Sequence, residues 1–175
     1  VKNVNLFIVK IFGDEEEIES EKLIFALNYL LQEIHPQLIH LSMGISFCDQ
    51  ISELKNVCDN LVANGTIIVS AFDNDGSLSY PAAFQNVIGV ESSSNIRKTT
   101  DYIYWNNSPI NISAIGIAQR LKGKYDKYYD VIGSSFAAPY ITSIIANMME
   151  RENIICIDDI LQKLKANAYK IYSPE

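Results

Sequence analysis

The chain has 175 residues, enough for one domain with a substantial core, and its 48% apolar and 20% charged residues are ordinary for a folded globular protein. A net charge of −7 with no Lys/Arg run argues against a nucleic-acid partner, and no apolar run reaches the length that crosses a membrane. Cys48, Cys58 and Cys156 lack the spacing of a metal knuckle and read as structural or free thiols rather than metal ligands.

The sequence begins at Val1 rather than Met, shows no signal peptide, and opens almost directly on Val4-Asn-Leu-Phe-Ile-Val-Lys-Ile-Phe12. That run predicts a strand buried on both faces, and the abrupt start predicts a piece of something longer. Glu15, Glu16, Glu17 and Glu19 read as a solvated loop and helix start. Ser20 with Leu23, Leu27, Leu30, Leu31 and Ile34 predicts a capped amphipathic helix that ends before Pro36. Leu38 to Leu41 predicts a second short strand, leading into Ser42-Met43-Gly44. Ile51, Leu54, Val57, Cys58, Leu61 and Val62 lie at helical spacing, with Gly65 as the stop.

Thr66 to Ser70 predicts a third strand, ending at Ala71-Phe72-Asp73-Asn74-Asp75-Gly76, and Asn86 to Val90 a fourth. Polar sequence of lower order follows through Asn107, then an apolar stretch from Ile110 to Ile117. Gln119 to Asp130 predicts a hairpin with Lys122-Gly123-Lys124 in its turn. Ile157 to Ala168 predicts a last amphipathic helix with Asp158 and Asp159 in its first turn. Strands alternating with helices across short links predict an α/β domain with a mostly parallel sheet, in which functional groups collect at the carboxyl ends of strands.

Gly133-Ser134-Ser135-Phe136-Ala137-Ala138-Pro139 precedes a long apolar helical pattern. Gly133 permits a backbone that a side chain would obstruct, and Pro139 predicts a first helical turn, where its missing N–H costs nothing. Ser135 then sits at a helix N-terminus, whose unpaired amides favour a developing negative charge. It is either a nucleophile or an N-cap.

This segment resembles the serine motif of the subtilisin-like serine proteases: glycine, a hydroxyl residue, the nucleophilic serine, a hydrophobic residue, two small residues and proline. The resemblance extends from about Val4 to Ala168 and implies the three-layer subtilisin-like α/β fold, with residues 1–175 as the carboxyl-terminal part of one peptidase domain. It implies Ser135 as nucleophile and Asn74 as a side-chain donor to the oxyanion, matched at Asn74 and Gly76. The family glycine before that asparagine is Asp73 here, and Asn74-Asp75-Gly76 also reads as a plain turn. Leu41-Ser42-Met43-Gly44 resembles the substrate-binding segment, which pairs with a bound peptide as an added strand. By the same resemblance Ser70, Ala71 and Phe72 form the opposite wall of the primary pocket. Phe72 stands where the family has a small residue, and either narrows that pocket or belongs to the core. Tyr80-Pro81 resembles a family segment whose proline commonly follows a cis bond, with Ser79 near the pocket base.

The triad in this family runs Asp, His, Ser, and the first two would lie upstream of Val4, beyond the start of the sequence. His35 and His40 lack the family context and read as surface or core residues. The resemblance therefore implies a serine endopeptidase whose Asp/His pair comes from a missing upstream segment, the chain being inactive by itself. Its alternative is a catalytically inactive homologue that binds peptides or serves as a scaffold. Either way the partners implied are a peptide or protein substrate and the missing segment. Asn, Ile and Lys usage points to an AT-rich, bacterial source. A nucleotide-binding domain is disfavoured because no G-x-G-x-x-G or Walker A loop is present, and a G-x-S-x-G hydrolase because the second glycine is missing.

Overall fold

In the computed structural model, residues 4–13, 19–46, 48–117, 119–122 and 126–173 are described. β1 (Leu38–Leu41), β2 (Ile67–Ala71), β3 (Ile88–Ser92) and β5 (Ile112–Ala114) run parallel side by side. β4 (Tyr102–Trp105) is antiparallel to β5, and β8 (Lys170–Tyr172) is parallel to β4, giving the order β1-β2-β3-β5-β4-β8. A separate antiparallel hairpin joins β6 (Gln119–Lys122) to β7 (Tyr128–Val131).

Strand β2 is buried at every position and feeds both faces of the sheet, because successive side chains point opposite ways. Ile67 and Val69 join Ile88, Val90 and Ile112 beneath α3 (Ser134–Glu152) and α4 (Ile157–Ala166), which contribute Ala137, Ile141, Ile145, Ile160 and Leu164. Ile68 points the other way, into a core with Leu23 and Leu27 of α1 (Ser20–Tyr29) and Leu54, Val57, Cys58 and Leu61 of α2 (Ile51–Ala63). Desolvation in this core pushes the Cys58 thiol up to about 12, as suits a packing residue rather than a nucleophile. With helices on both faces of a mostly parallel sheet, the architecture is the three-layer α/β fold expected from the sequence.

Several elements differ from expectation. Residues 4–12 form no strand: Leu6 is 79% and Ile8 78% exposed, and the Phe7 ring rests against Tyr29 with centroids 6.4 Å apart. An apolar run has strand propensity but becomes a strand only with a neighbour to pair with. Glu19 holds the N-cap position of α1 without a side-chain hydrogen bond, while Ser20 lies inside the helix and donates to Gln50 Oε1 at 3.3 Å. The helix ends in a π-helical turn over Leu30–Ile34, closed by His35 in the left-handed region. Gly65, at φ +86, provides the expected stop after α2. β4 and β8 were not foreseen; the Tyr102 hydroxyl fixes β4 under α4 by donating to the Leu164 carbonyl at 2.8 Å. Glu15, Glu16 and Glu17, and Gly123 and Lys124 of the hairpin turn, lie outside the described residues.

Gly89 of β3 lies beneath the Phe72 ring, and a Cβ there would sit 2.5 Å from the Ala82 carbonyl oxygen and inside the ring's van der Waals envelope. Both neighbours are buried, so Gly89→Ala is expected to destabilise by about 1–3 kcal/mol through overpacking. The check is urea unfolding, with a lower midpoint at unchanged m.

Candidate active site

The carboxyl ends of β1 and β2 and the N-terminus of α3 meet at one place. Gly133 enters the helix at φ +146 and ψ 178, a conformation open to glycine. Its Cα faces Asn74 so closely that a Cβ would lie 2.6 Å from Asn74 Oδ1 and 2.9 Å from Nδ2. The loop after β2 and the turn before α3 are thus in direct contact.

Asn74 Oδ1 accepts the Ser134 backbone N–H at 2.8 Å. Because an N–H requires an oxygen opposite it, this bond fixes the amide's orientation and leaves Nδ2–H2 free to donate beside the Ser135 turn. Ser134 itself is buried, and its hydroxyl accepts the Ser92 N–H at 3.1 Å, tying the turn to the end of β3. The Gly133 carbonyl accepts the Phe136 and Ala137 N–H groups, as the first carbonyl of a helix does. The Ser135 N–H belongs to the first-turn amides that have no intrahelical acceptor, and none is found for it among the described residues. Asn74 thus lies at the turn that leads into Ser135, with its Nδ2 hydrogens not used in the bond to Ser134.

Pro139 is the sixth residue of α3, in its second turn rather than the first-turn position expected from sequence. It cannot donate to the Ser135 carbonyl, its i−4 partner. The Ser42 hydroxyl donates to that carbonyl instead, at 3.0 Å, while the Ser135 hydroxyl donates to the Ser42 carbonyl at 2.9 Å. Ser135 is thus no N-cap: Gly133 holds that position, and the Ser135 hydroxyl reaches across to β1.

Ser42-Met43-Gly44 continues β1 past its last register pair, Leu41 with Ser70, and Ser70 Oγ at the end of β2 donates to the Met43 carbonyl at 3.1 Å. A Cβ on Gly44 would lie 2.8 Å from Ser79 Cβ and 3.1 Å from the Ala71 carbonyl oxygen, so the space between the two walls is narrow. Ser79 is fully buried and its hydroxyl accepts the Asp73 N–H at 3.0 Å. The Phe72 ring is buried and packs against Gly89, as its core reading expects. The Asp73 carboxylate accepts from Ser46 across the mouth of the gap. Asp75 accepts from the Ser77 hydroxyl and N–H, which holds its carboxyl below the ordinary range. The Tyr80-Pro81 bond is cis, and Ile45 and Tyr80 exchange two backbone hydrogen bonds that close the far end of the segment.

His40, read from sequence as core or surface, is an exposed residue beside Ser42. Its Nε2 lies 2.6 Å from Ser42 Oγ and its Nδ1 2.8 Å from Thr142 Oγ1 on α3. The period of two along β1 put it on the face of Leu38, toward α3, but nothing in the sequence singled out Thr142 as its neighbour. His35 is exposed and precedes the amino end of β1, whereas Ser135 contacts Ser42 past its carboxyl end. Among the described residues no group of three or more His, Cys, Asp or Glu side chains could hold a metal ion. None of the described helices is long and apolar enough to cross a membrane.

A model of the subtilase family matches residues 1–171. The major intracellular serine protease of Bacillus subtilis (strain 168) is 33% identical over 152 residues, 81% of this chain and 46% of its own length. Subtilisin DY of Bacillus licheniformis is 19% identical over 172 residues, 95% of this chain and 61% of its own. The chain thus spans about half to three-fifths of the curated relatives it matches. Among solved structures, the prenylagaramide maturation protease PagA and the S41 psychrophilic protease each share the fold at a TM-score of 0.65 and 18% identity. Each match covers 89% of this chain, against 60% of PagA and 58% of the S41 protease.

Proposed function

The chain belongs to the subtilase family, and from that premise we propose that it carries the nucleophile, the oxyanion donors and the peptide-binding edge of a serine endopeptidase. Ser135 Oγ attacks the scissile carbonyl, giving its proton to a histidine base that an upstream segment supplies together with the orienting aspartate. The tetrahedral oxyanion is met by the Ser135 N–H and by Asn74 Nδ2–H. The base then returns the proton to the leaving amine, and water hydrolyses the acyl-enzyme by the same route. Ser42 to Gly44 pair with the substrate backbone as an added strand, and Ser70, Ala71 and Ser79 bound the primary pocket. The close approach of Gly44 to Ser79 suits a small substrate side chain there.

The observation that carries this reading is the Asn74 amide, whose Oδ1 accepts the N–H of Ser134, the residue next to Ser135. Among the described residues no strand pairs with the outer side of β1, and this edge with the exposed apolar residues of 4–12 supports a docking place for the upstream segment, since an unpaired edge and a bare apolar run both call for cover. By itself, without base or orienting carboxylate, the chain is inactive. The peptide-binding alternative draws on Asp73, a carboxylate at the mouth of the pocket where it opposes a developing negative charge.

A fluorophosphonate probe on the intact gene product decides between them. Labelling that vanishes in Ser135→Ala establishes an activated Ser135. A folded protein that takes up no probe is a binding homologue.

A further inference from the structure

The Ser42 hydroxyl has one hydrogen and two acceptors competing for it, the Ser135 carbonyl at 3.0 Å and His40 Nε2 at 2.6 Å. The Thr142 hydroxyl is similarly placed, between the Ala138 carbonyl at 2.9 Å and His40 Nδ1 at 2.8 Å. If both hydroxyls serve their carbonyls, both must accept from the ring, which requires N–H on both nitrogens and hence the imidazolium. A neutral ring has one N–H and one lone pair, so one hydroxyl must turn from its carbonyl to the ring.

Thr142 makes an i−4 bond within its own helix, so its hydroxyl stays beside the Ala138 carbonyl whatever the ring does. Ser42 reaches a carbonyl on a different element and has the shorter contact to the ring, so its hydrogen is the one that moves.

We propose that His40 is a positioning residue: neutral, it takes the Ser42 hydroxyl for itself; protonated, it hands that hydroxyl to the Ser135 carbonyl. The proton on the ring comes from solvent and returns there, and only hydrogen bonds change. In the protonated state Ser42 and Ser135 close a ring of two reciprocal hydrogen bonds, which holds the Ser135 hydroxyl on the Ser42 carbonyl. In the neutral state one of the two is released and the turn carrying Ser135 is looser.

Among the described residues the groups facing the ring are the Thr142 hydroxyl from α3, the Ser42 hydroxyl from its own strand and, as register partner on β2, Val69. Desolvation is the cause that holds His40 below its ordinary 6.5, so the tether is off at neutral pH and forms in acid. The linkage itself is independent of chemistry; its meaning for catalysis rests on the proposed role of Ser135.

The test is NMR on the intact gene product with a 13C-labelled Ser135 carbonyl, followed across pH beside the His40 ring. The Ser135 carbon is expected to shift with the His40 midpoint. Ser42→Ala should abolish that shift while the ring still titrates, and His40→Gln, which places a neutral amide near the Nε2 site, should abolish it too. A Ser135 carbon that ignores His40, or follows it unchanged in Ser42→Ala, overturns the proposal. Fluorophosphonate labelling of the same samples separates the two readings. Unlabelled protein whose carbonyl follows His40 fails as a peptidase and keeps the linkage; labelled protein whose carbonyl ignores His40 does the reverse.

Discussion

Gly133→Ala is expected to lower both stability and the rate of probe labelling at Ser135. Two costs coincide at this position. Alanine at φ +146 carries backbone strain on the order of 1–3 kcal/mol, and its Cβ would press on the Asn74 amide at both Oδ1 and Nδ2. The amide has to move, and with it goes the bond to the Ser134 N–H that aims its donor. Urea unfolding should show a midpoint lowered in keeping with the strain, and the labelling rate should fall by about 10²–10³, the size for one lost oxyanion donor. That size is established for the asparagine of a subtilisin, a relative, and is borrowed from it. Full labelling at wild-type rate would mean that the Asn74 contact has no part in the chemistry.

Asn74→Asp separates aim from donation. The carboxylate is isosteric with the amide and still accepts the Ser134 N–H, so the turn before α3 should keep its shape. What is lost is the donor, and a negative charge replaces it where the proposed reaction develops one. Labelling should fall by at least the same borrowed factor of about 10²–10³, while circular dichroism stays that of the wild type. Asn74→Ala removes both functions and should lose stability as well. Equal labelling by Asn74→Asp and the wild type would dismiss Asn74 as an oxyanion donor.

The parts of this arrangement that depend on local chemistry were legible in the sequence. Gly133 and Gly76 take the positive φ that their turn segments call for, and the alternation of helices and strands from α1 to β3 pointed to the layered fold. What depends on distant partners was not legible. The apolar run 4–12 has strand composition but, without a strand to pair with, it lies exposed. Tyr102 to Trp105 follows a polar stretch and becomes β4 because Ser113 and Ile112 lie alongside it and Tyr102 finds Leu164 above it. Phe72 gave no local sign of which way it would turn; Gly89, 17 positions later, leaves the space that receives its ring. His40 could be placed on a face of β1 by counting, but its contact with Thr142 joins residues 102 apart.

Pro139 ties together two positions 93 residues apart in the chain, 42 and 135. By withholding its N–H it leaves the Ser135 carbonyl to a hydroxyl from β1. Where residue 139 is anything but proline, the helix regains its own donor to the Ser135 carbonyl, and the link between residues 42 and 135 becomes redundant.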